Sequence, residues 1–466
     1  MTPDEIAYLP AWRIAALVRA RDISALEVVD AILARIERLN PSINAFVRTY
    51  EERSRSAAKT VDCGDAADHP LAGVPVSIKD TYWSAGLPMN FGSRLLADHV
   101  PQQDSPAVKR LAEAGAIDIG KTNTPEFAWR GSTDSPLHGA TANPWNLERT
   151  AGGSSGGAAA AVAAGLGPLA MASDAAGSIR IPASFCGLVG FKATFGRVAM
   201  FPPAGGNELA LHGGPIARNV RDTALMYRAI AAPDPRDPFS LPMADGEETD
   251  TLERGIAGLR VAWSPDLGYA AVERETAAIA ADAALAFNDL GVKVEDAALA
   301  LSDPSWILDT LFGGALAGAH ASRPAEEKAK MDPALVAYAE KGAAITIETY
   351  MKAIMARQAL VQQFVRFFEK FDLLLTPTVC VPAFPLGVVG PDSVNGQPAA
   401  HLGWSLCYPF NWTGQPAITV PAGWTDDGLP VGLQIVGRRF EDETVLRAAA
   451  AFEAARKWSD KRPPAI

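Results

Sequence analysis

Ala151-Gly152-Gly153-Ser154-Ser155-Gly156-Gly157 opens an alanine-rich segment, and Ser173-Asp174-Ala175-Ala176-Gly177-Ser178 closes it. Alanine favours helix interiors, whereas glycine and serine favour loops and caps, so this reads as loop, buried helix, loop. A hairpin of that kind can return Ser178 to Ser154. Outward from it, the period of the pattern keeps switching. Upstream, Val74, Val76 and Ile78 alternate with Pro75, Ser77 and Lys79, which predicts a strand or strand-like loop over 71–80. A helix over about 107–114, closed by Gly115, precedes a short apolar strand at 116–119. Ser24-Ala25-Leu26-Glu27 is a capping box that starts another helix, with Asn40-Pro41 as its stop. Downstream, residues 259–263, 271–290 and 292–294 read as strand, helix and strand. Residues 303–370 read as mostly helical, and Leu373-Leu374-Leu375 as a strand ending in a Thr-Pro-Thr turn. This alternation predicts an α/β fold with helices covering a sheet.

Composition narrows the function. The chain has 466 residues, 48% hydrophobic and 20% charged, enough for a large core and unlike a disordered chain. Its net charge is −11, without a basic run, so neither a nucleic-acid nor an anionic-membrane partner is expected. Four cysteines and six histidines are scattered, with no metal-ligand spacing, so no metal or other cofactor is expected. The N-terminus, Met1-Thr2-Pro3-Asp4-Glu5, lacks the basic and apolar regions of a signal peptide. The uncharged run Gly156–Ala172 holds Pro168 and four glycines, and its first part reads as a buried helix rather than a membrane span. A cytoplasmic location is the expectation. A proline- and acid-rich stretch, 232–250, reads as an exposed connection. Strand–helix units flank it on both sides, so residues 1–466 are read as one domain.

Three motifs compete for the chemistry. Gly115-Ala116-Ile117-Asp118-Ile119-Gly120-Lys121-Thr122 matches the phosphate-loop pattern letter for letter. That loop needs a strand before it and a helix after it, and here the order is reversed. Gly153-Ser154-Ser155-Gly156-Gly157 contains a nucleophile-elbow pattern centred on Ser155, as in α/β-hydrolase esterases. The preceding residues are polar rather than strand-like, and no histidine stands out as the base. The third reading joins Ser154 and Ser178 to Lys79, because a lysine made neutral by burial can serve a serine as base. Taken singly, each residue also has an ordinary reading: a flexible linker, a solvated lysine, a turn cap.

Together these motifs resemble the amidase signature family. The match comprises Gly152–Gly157, then Asp174-Ala175-Ala176-Gly177-Ser178-Ile179-Arg180, Pro182-Ala183, Cys186-Gly187 and Gly190-Phe191-Lys192. It extends to Gly73–Asp80, Gly120–Asn123, Gly214–Arg218, Thr413–Ala417 and Gly428–Gly432, about residues 70–440 in all. The resemblance implies a large mixed β-sheet covered on both faces by helices. It implies a catalytic Ser–Ser–Lys triad, with Ser178 as acyl nucleophile, Ser154 as bridging serine in a cis peptide unit, and Lys79 as neutral base. The backbone N–H groups of Ala175, Ala176, Gly177 and Ser178 would form the oxyanion hole. Gly153, Ser155, Asp174 and Arg180 would support these groups, and Cys186 would be a small core residue.

One departure stands out. Ala176 occupies a glycine position of the family, which should strain the loop if φ is positive there, and should narrow the pocket floor by one methyl group. The implied activity is amide hydrolysis through an acyl-enzyme, with carbamate (urethane) and ester bonds offering the same attack geometry. Tyr82, Trp83, Met89, Phe91, Trp129, Phe201, Trp306, Leu311 and Phe312 could rim a pocket for a small hydrophobic or aryl acyl-amide. The helical segment 300–370 is placed near that pocket. The partner is therefore a small-molecule amide, and the sequence permits a homodimer. A glutaminase subunit of a tRNA-dependent amidotransferase is the alternative within the family. Against it, Gly313-Gly314-Ala315-Leu316-Ala317-Gly318 stands where a Tyr- and Ser-rich substrate segment is expected.

Overall fold

A computed structural model describes residues 1–64, 69–203, 209–242, 249–297, 299 and 301–464. Its centre is a mixed sheet of 11 strands. In chain order these are β1 (Phe46–Thr49), β2 (Pro75–Lys79), β3 (Ile117–Thr122), β4 (Leu169–Asp174), β5 (Val189–Lys192), β6 (His212–Ala217), β7 (Arg260–Trp263), β8 (Lys293–Asp296), β9 (Leu373–Pro377), β10 (Ala417–Trp424) and β11 (Pro430–Gly437). Across the sheet they lie in the order β1-β3-β2-β4-β6-β5-β10-β11-β9-β7-β8.

Both faces of this sheet are buried, and the side-chain period of two sorts its residues between them. Leu373, Leu375, Val261, Ile418 and Ile435 join one apolar cluster, whereas Leu374, Ala262, Ala417 and Val436 join the other. Helices α1 (Ala25–Ile43), α2 (Gly156–Ala163), α3 (Val220–Ile230) and α8 (Asp442–Ala455) contribute to the first. Three helices contribute to the second: α5 (Ser305–His320), α6 (Pro333–Ala343) and α7 (Ile347–Lys370). The strand–helix–strand unit stands as read: β7 and β8 pair in parallel around α4 (Arg274–Leu285). The helix expected to stop at Asn40-Pro41 continues to Ile43 and ends on the left-handed Asn44. Burial of Ile43 holds that last turn despite the proline, as do two hydrogen bonds: Asn40 Nδ2 donates to the Phe46 carbonyl, and the Phe46 N–H donates to Asn40 Oδ1.

One parallel pairing brings the key ends together. β2 runs parallel to β4, with Ile78 opposite Met171, so Lys79 and Ser173 emerge at the same edge. All five residues of β2 are buried, because it is an interior strand covered on both faces. The segment with the phosphate-loop letters is β3 itself, and Lys121 is buried, donating to the Tyr82 carbonyl at 2.8 Å and Ser84 Oγ at 2.7 Å. In the 232–250 connection, the described part is tied down: the Met200 N–H donates to Asp237 and Arg236 pairs with Asp234. Residues 243–248 of that connection lie outside the described residues. None of the described helices is long and apolar enough to cross a membrane.

Candidate active site

The site forms where β2 and β4 end and two loops cross above them. Lys79, the last residue of β2, is fully buried, and its Nζ lies 2.7 Å from Ser154 Oγ and 3.0 Å from Ser173 Oγ. Burial disfavours the ammonium form and pushes the Lys79 pKa down to about 7, against the opposing pull of the Asp174 carboxylate. Ser154 is buried and follows a cis peptide bond from Gly153. Gly153 admits no side chain, because a Cβ there would come within 2.7–2.8 Å of the Ser132 backbone. Ser178 is partly exposed, and its carbonyl oxygen accepts a hydrogen bond from the Ser155 N–H at 3.3 Å, stitching the two loops together.

Ser155 is placed differently from a nucleophile at an elbow. Its side chain is fully buried, and its hydroxyl donates to the Ser173 carbonyl at 3.2 Å. Among the described residues no histidine bonds to Ser154, Ser155 or Ser178; His212 turns its Nδ1 to the Ala210 carbonyl at 2.7 Å.

Behind the second loop lies a buried ion pair. Arg180 grips Asp174 with two guanidinium nitrogens, at 2.9 and 3.1 Å, and Asn411 Nδ2 adds a third donor at 2.8 Å. The other guanidinium hydrogen bonds go to Gln434 Oε1, the Cys407 carbonyl and Asn411 Oδ1. Burial alone would raise the Asp174 pKa, but the Arg180 charge and the hydrogen bonds outweigh it and hold the carboxyl below its usual range. The carboxylate also draws in two loop amides, Gly177 N–H at 2.5 Å and Ile179 N–H at 3.2 Å. This corrects one expectation: the Gly177 N–H points back into the protein and is not a free oxyanion donor. A desolvated carboxylate needs donors, and this amide is within its reach. The N–H groups of Ala175, Ala176 and Ser178 donate to nothing among the described residues.

The alanine departure also resolves locally. Positive φ falls on Gly177, at 118°, while Ala176 lies outside the left-handed region, so Ala176 carries no such strain. Its methyl group is buried in the cluster with Ile181 and Phe185, and the cavity is lined by Ala175 instead, so the expected narrowing of the pocket floor is absent. Cys186 is buried with its Sγ near the Ala151 carbonyl, and burial pushes its thiol pKa well up.

A cavity of about 300 Å³ opens beside Ser173 and Ala175. Tyr82, Phe91, Phe201 and Phe312 line it as expected. Trp83 stands one layer out, edge-on to Phe201 at 5.5 Å. Trp129 and Leu311 are buried in the apolar cluster, Met89 is buried elsewhere, and Trp306 is exposed on α5. Sequence reasoning missed Phe127, Met200, Leu316 and His320 on the cavity wall, and Ser173 beside Lys79. A signal for Ser173 was present, since it directly precedes the Asp174 loop on an apolar strand. Among the described lining residues none carries a full charge, and no described cluster of His, Cys, Asp and Glu could hold a metal ion.

The sequence profile described as "Amidase" matches residues 27–446. The chain belongs to the amidase family. As a member of its amidase signature group, it is an amide-hydrolysing enzyme of acylamidase type. It is 40% identical to an acylamidase of Rhodococcus erythropolis over 99% of this chain and 98% of that one. It is 36% identical to a glutamyl-tRNA(Gln) amidotransferase subunit of Moorella thermoacetica, over 98% and 99% of the two chains. The crystal structure of a bacterial aryl acylamidase of the amidase signature family superposes with a TM-score of 0.91 at 32% identity, covering 97% of each chain.

Proposed function

We propose that this amidase cleaves aryl or other small apolar acyl-amides, with Ser178 as nucleophile and Ser154 and Lys79 as a proton relay. The observation that carries the mechanism is the buried Lys79 amine, 2.7 Å from Ser154 Oγ and with a pKa drawn down to about 7. A neutral amine can accept a proton where an ammonium cannot. Ser178 Oγ attacks the carbonyl carbon while its proton passes to Ser154 Oγ, whose own proton passes to Lys79 Nζ. The oxyanion that forms is met by the free N–H groups of Ala175, Ala176 and Ser178, each such donor contributing roughly 3 kcal/mol. The relay then reverses, the leaving nitrogen takes the proton, and the C–N bond breaks to give the acyl-serine. Water attacks that ester by the same route and releases the acid.

The cavity supports this substrate class. Glutamine would bring an ammonium and a carboxylate, and none of the described lining residues could pair with either. The uncharged wall of Tyr82, Phe91, Phe127, Phe201 and Phe312 favours an aryl or alkyl group, on an amide or on a carbamate or ester. This supports a stand-alone amidase over the glutaminase alternative, and the buried, engaged Ser155 hydroxyl argues against the esterase one.

Peptide mapping after exposure to a fluorophosphonate tests the mechanism. The expected adduct sits on Ser178 and is lost in Lys79→Met. An adduct on Ser155, or glutamine turnover faster than that of an aryl acyl-amide, would refute the proposal.

A further inference from the structure

One imidazole interrupts the hydrocarbon wall of the cavity. Phe312, Ala315, Leu316, Ala319 and His320 lie on one face of α5, spaced by three and four residues, and all five line the cavity. His320 is only 5% exposed, and its ring stands 4.5 Å from that of Phe127. Arg323 donates its Nε–H to His320 Nδ1 at 3.1 Å, and Glu327 holds the same guanidinium at 2.7 Å. Arginine has hydrogens to give and no lone pair to offer, so this bond makes Nδ1 the acceptor and leaves the ring hydrogen on Nε2. Nε2 has no partner among the described residues. Burial, reinforced by the Arg323 charge, pushes the His320 pKa down to about 4, so the ring is neutral at pH 7.

We propose that His320 is a specificity-determining residue: its Nε2–H, fixed by Arg323, selects substrates whose apolar group carries a neutral acceptor oxygen. Carbonyl, ether and nitro oxygens fit this description. An N–H facing a dry hydrocarbon group loses its water without replacement, whereas an acceptor restores the bond. A neutral ring offers a carboxylate no charge to pair with, so the acceptor it favours is uncharged. The inference rests on the reading of this cavity as the substrate site.

The test uses aryl acyl-amides in matched pairs, 4-methoxy against 4-ethyl and 4-acetyl against 4-isopropenyl, with kcat/KM measured for each. Comparing the ratio in the wild type with that in each variant cancels intrinsic reactivity. The acceptor member should be favoured roughly 3- to 10-fold by the wild type over His320→Phe. His320→Gln, which keeps an N–H at similar reach, should retain most of that preference, and Arg323→Leu only part of it. A ratio unchanged by His320→Phe overturns the proposal. If no aryl acyl-amide is hydrolysed, the catalytic reading fails separately. Ligand-observed NMR with 4-methylanisole and 4-ethyltoluene then tests His320 alone, and equal affinities overturn it.

Discussion

Replacing Gly177 with alanine asks how much the proposed oxyanion loop depends on one missing side chain. At φ 118° the backbone is in a region that side chains rarely adopt, and a Cβ there would lie 2.7 Å from Cys407 Cβ and 2.8 Å from Ile181 Cδ1. The backbone contribution is about 1–3 kcal/mol, and overpacking adds about 1–3 kcal/mol. Neither neighbour can retreat freely, since both belong to the buried cluster that includes Ala176 and Phe185. The loop therefore either destabilises the fold by roughly 2–6 kcal/mol or shifts and takes its amides with it. In the second case, losing one well-aimed donor lowers the acylation rate about 100- to 1,000-fold. Urea denaturation and single-turnover acylation measured on the same preparation separate the two routes. Ala176→Gly is the control, because its φ is ordinary and only one buried methyl is lost, for about 1 kcal/mol. Gly177→Ala with stability within about 0.5 kcal/mol and acylation within about threefold of wild type would refute the reasoning.

Other outcomes follow from the same groups. Acylation should rise with pH through about 7, as the Lys79 amine loses its proton, and the stopped-flow rate profile of Lys79→Met should lack that limb. The same group makes stability rise with pH between about 7 and its ordinary value of 10.5, because there the unfolded chain holds a proton that the folded one does not; a Lys79→Met control isolates this slope in denaturant titrations. Ser173→Ala removes one of the two hydroxyls bonded to Lys79 Nζ, and should lower acylation about tenfold. It should also move the limb to lower pH, since the ammonium loses more than the amine does; a limb moved upward contradicts this. Asp174→Asn leaves the buried Arg180 charge uncompensated, and should destabilise the protein by about 3–5 kcal/mol, read as a fall in the urea midpoint.

Much of the candidate site is legible in the sequence because its parts carry local signatures. The glycine–serine loops, the alanine helix and the strand that ends at Lys79 each announce themselves within a few residues. The direction of single amides was not legible. Gly177 reads as an oxyanion donor, yet its N–H serves Asp174, and that choice depends on the nearby Arg180 and on Asn411 and Gln434, which arrive from far along the chain. The Ala176 departure looked like strain because sequence cannot say which residue of the loop takes positive φ. The helix through Pro41 ran past its local stop signal because Ile43 is buried by tertiary packing.

By itself the sequence determined the alternation of strands and helices, the family, and the local signatures that single out Lys79, Ser154 and Ser178 as candidates. Periodicity and turn chemistry act over a few residues, and that is the range in which a chain can be read without its fold. Only the tertiary structure decided that Ser173 touches Lys79, that Ser155 is engaged elsewhere, and that α5 supplies a cavity wall carrying His320. Each of these depends on which strands neighbour each other in the sheet and which helix covers which face. A residue's pattern encodes that it will be buried; the order of the sheet selects the partner it is buried against.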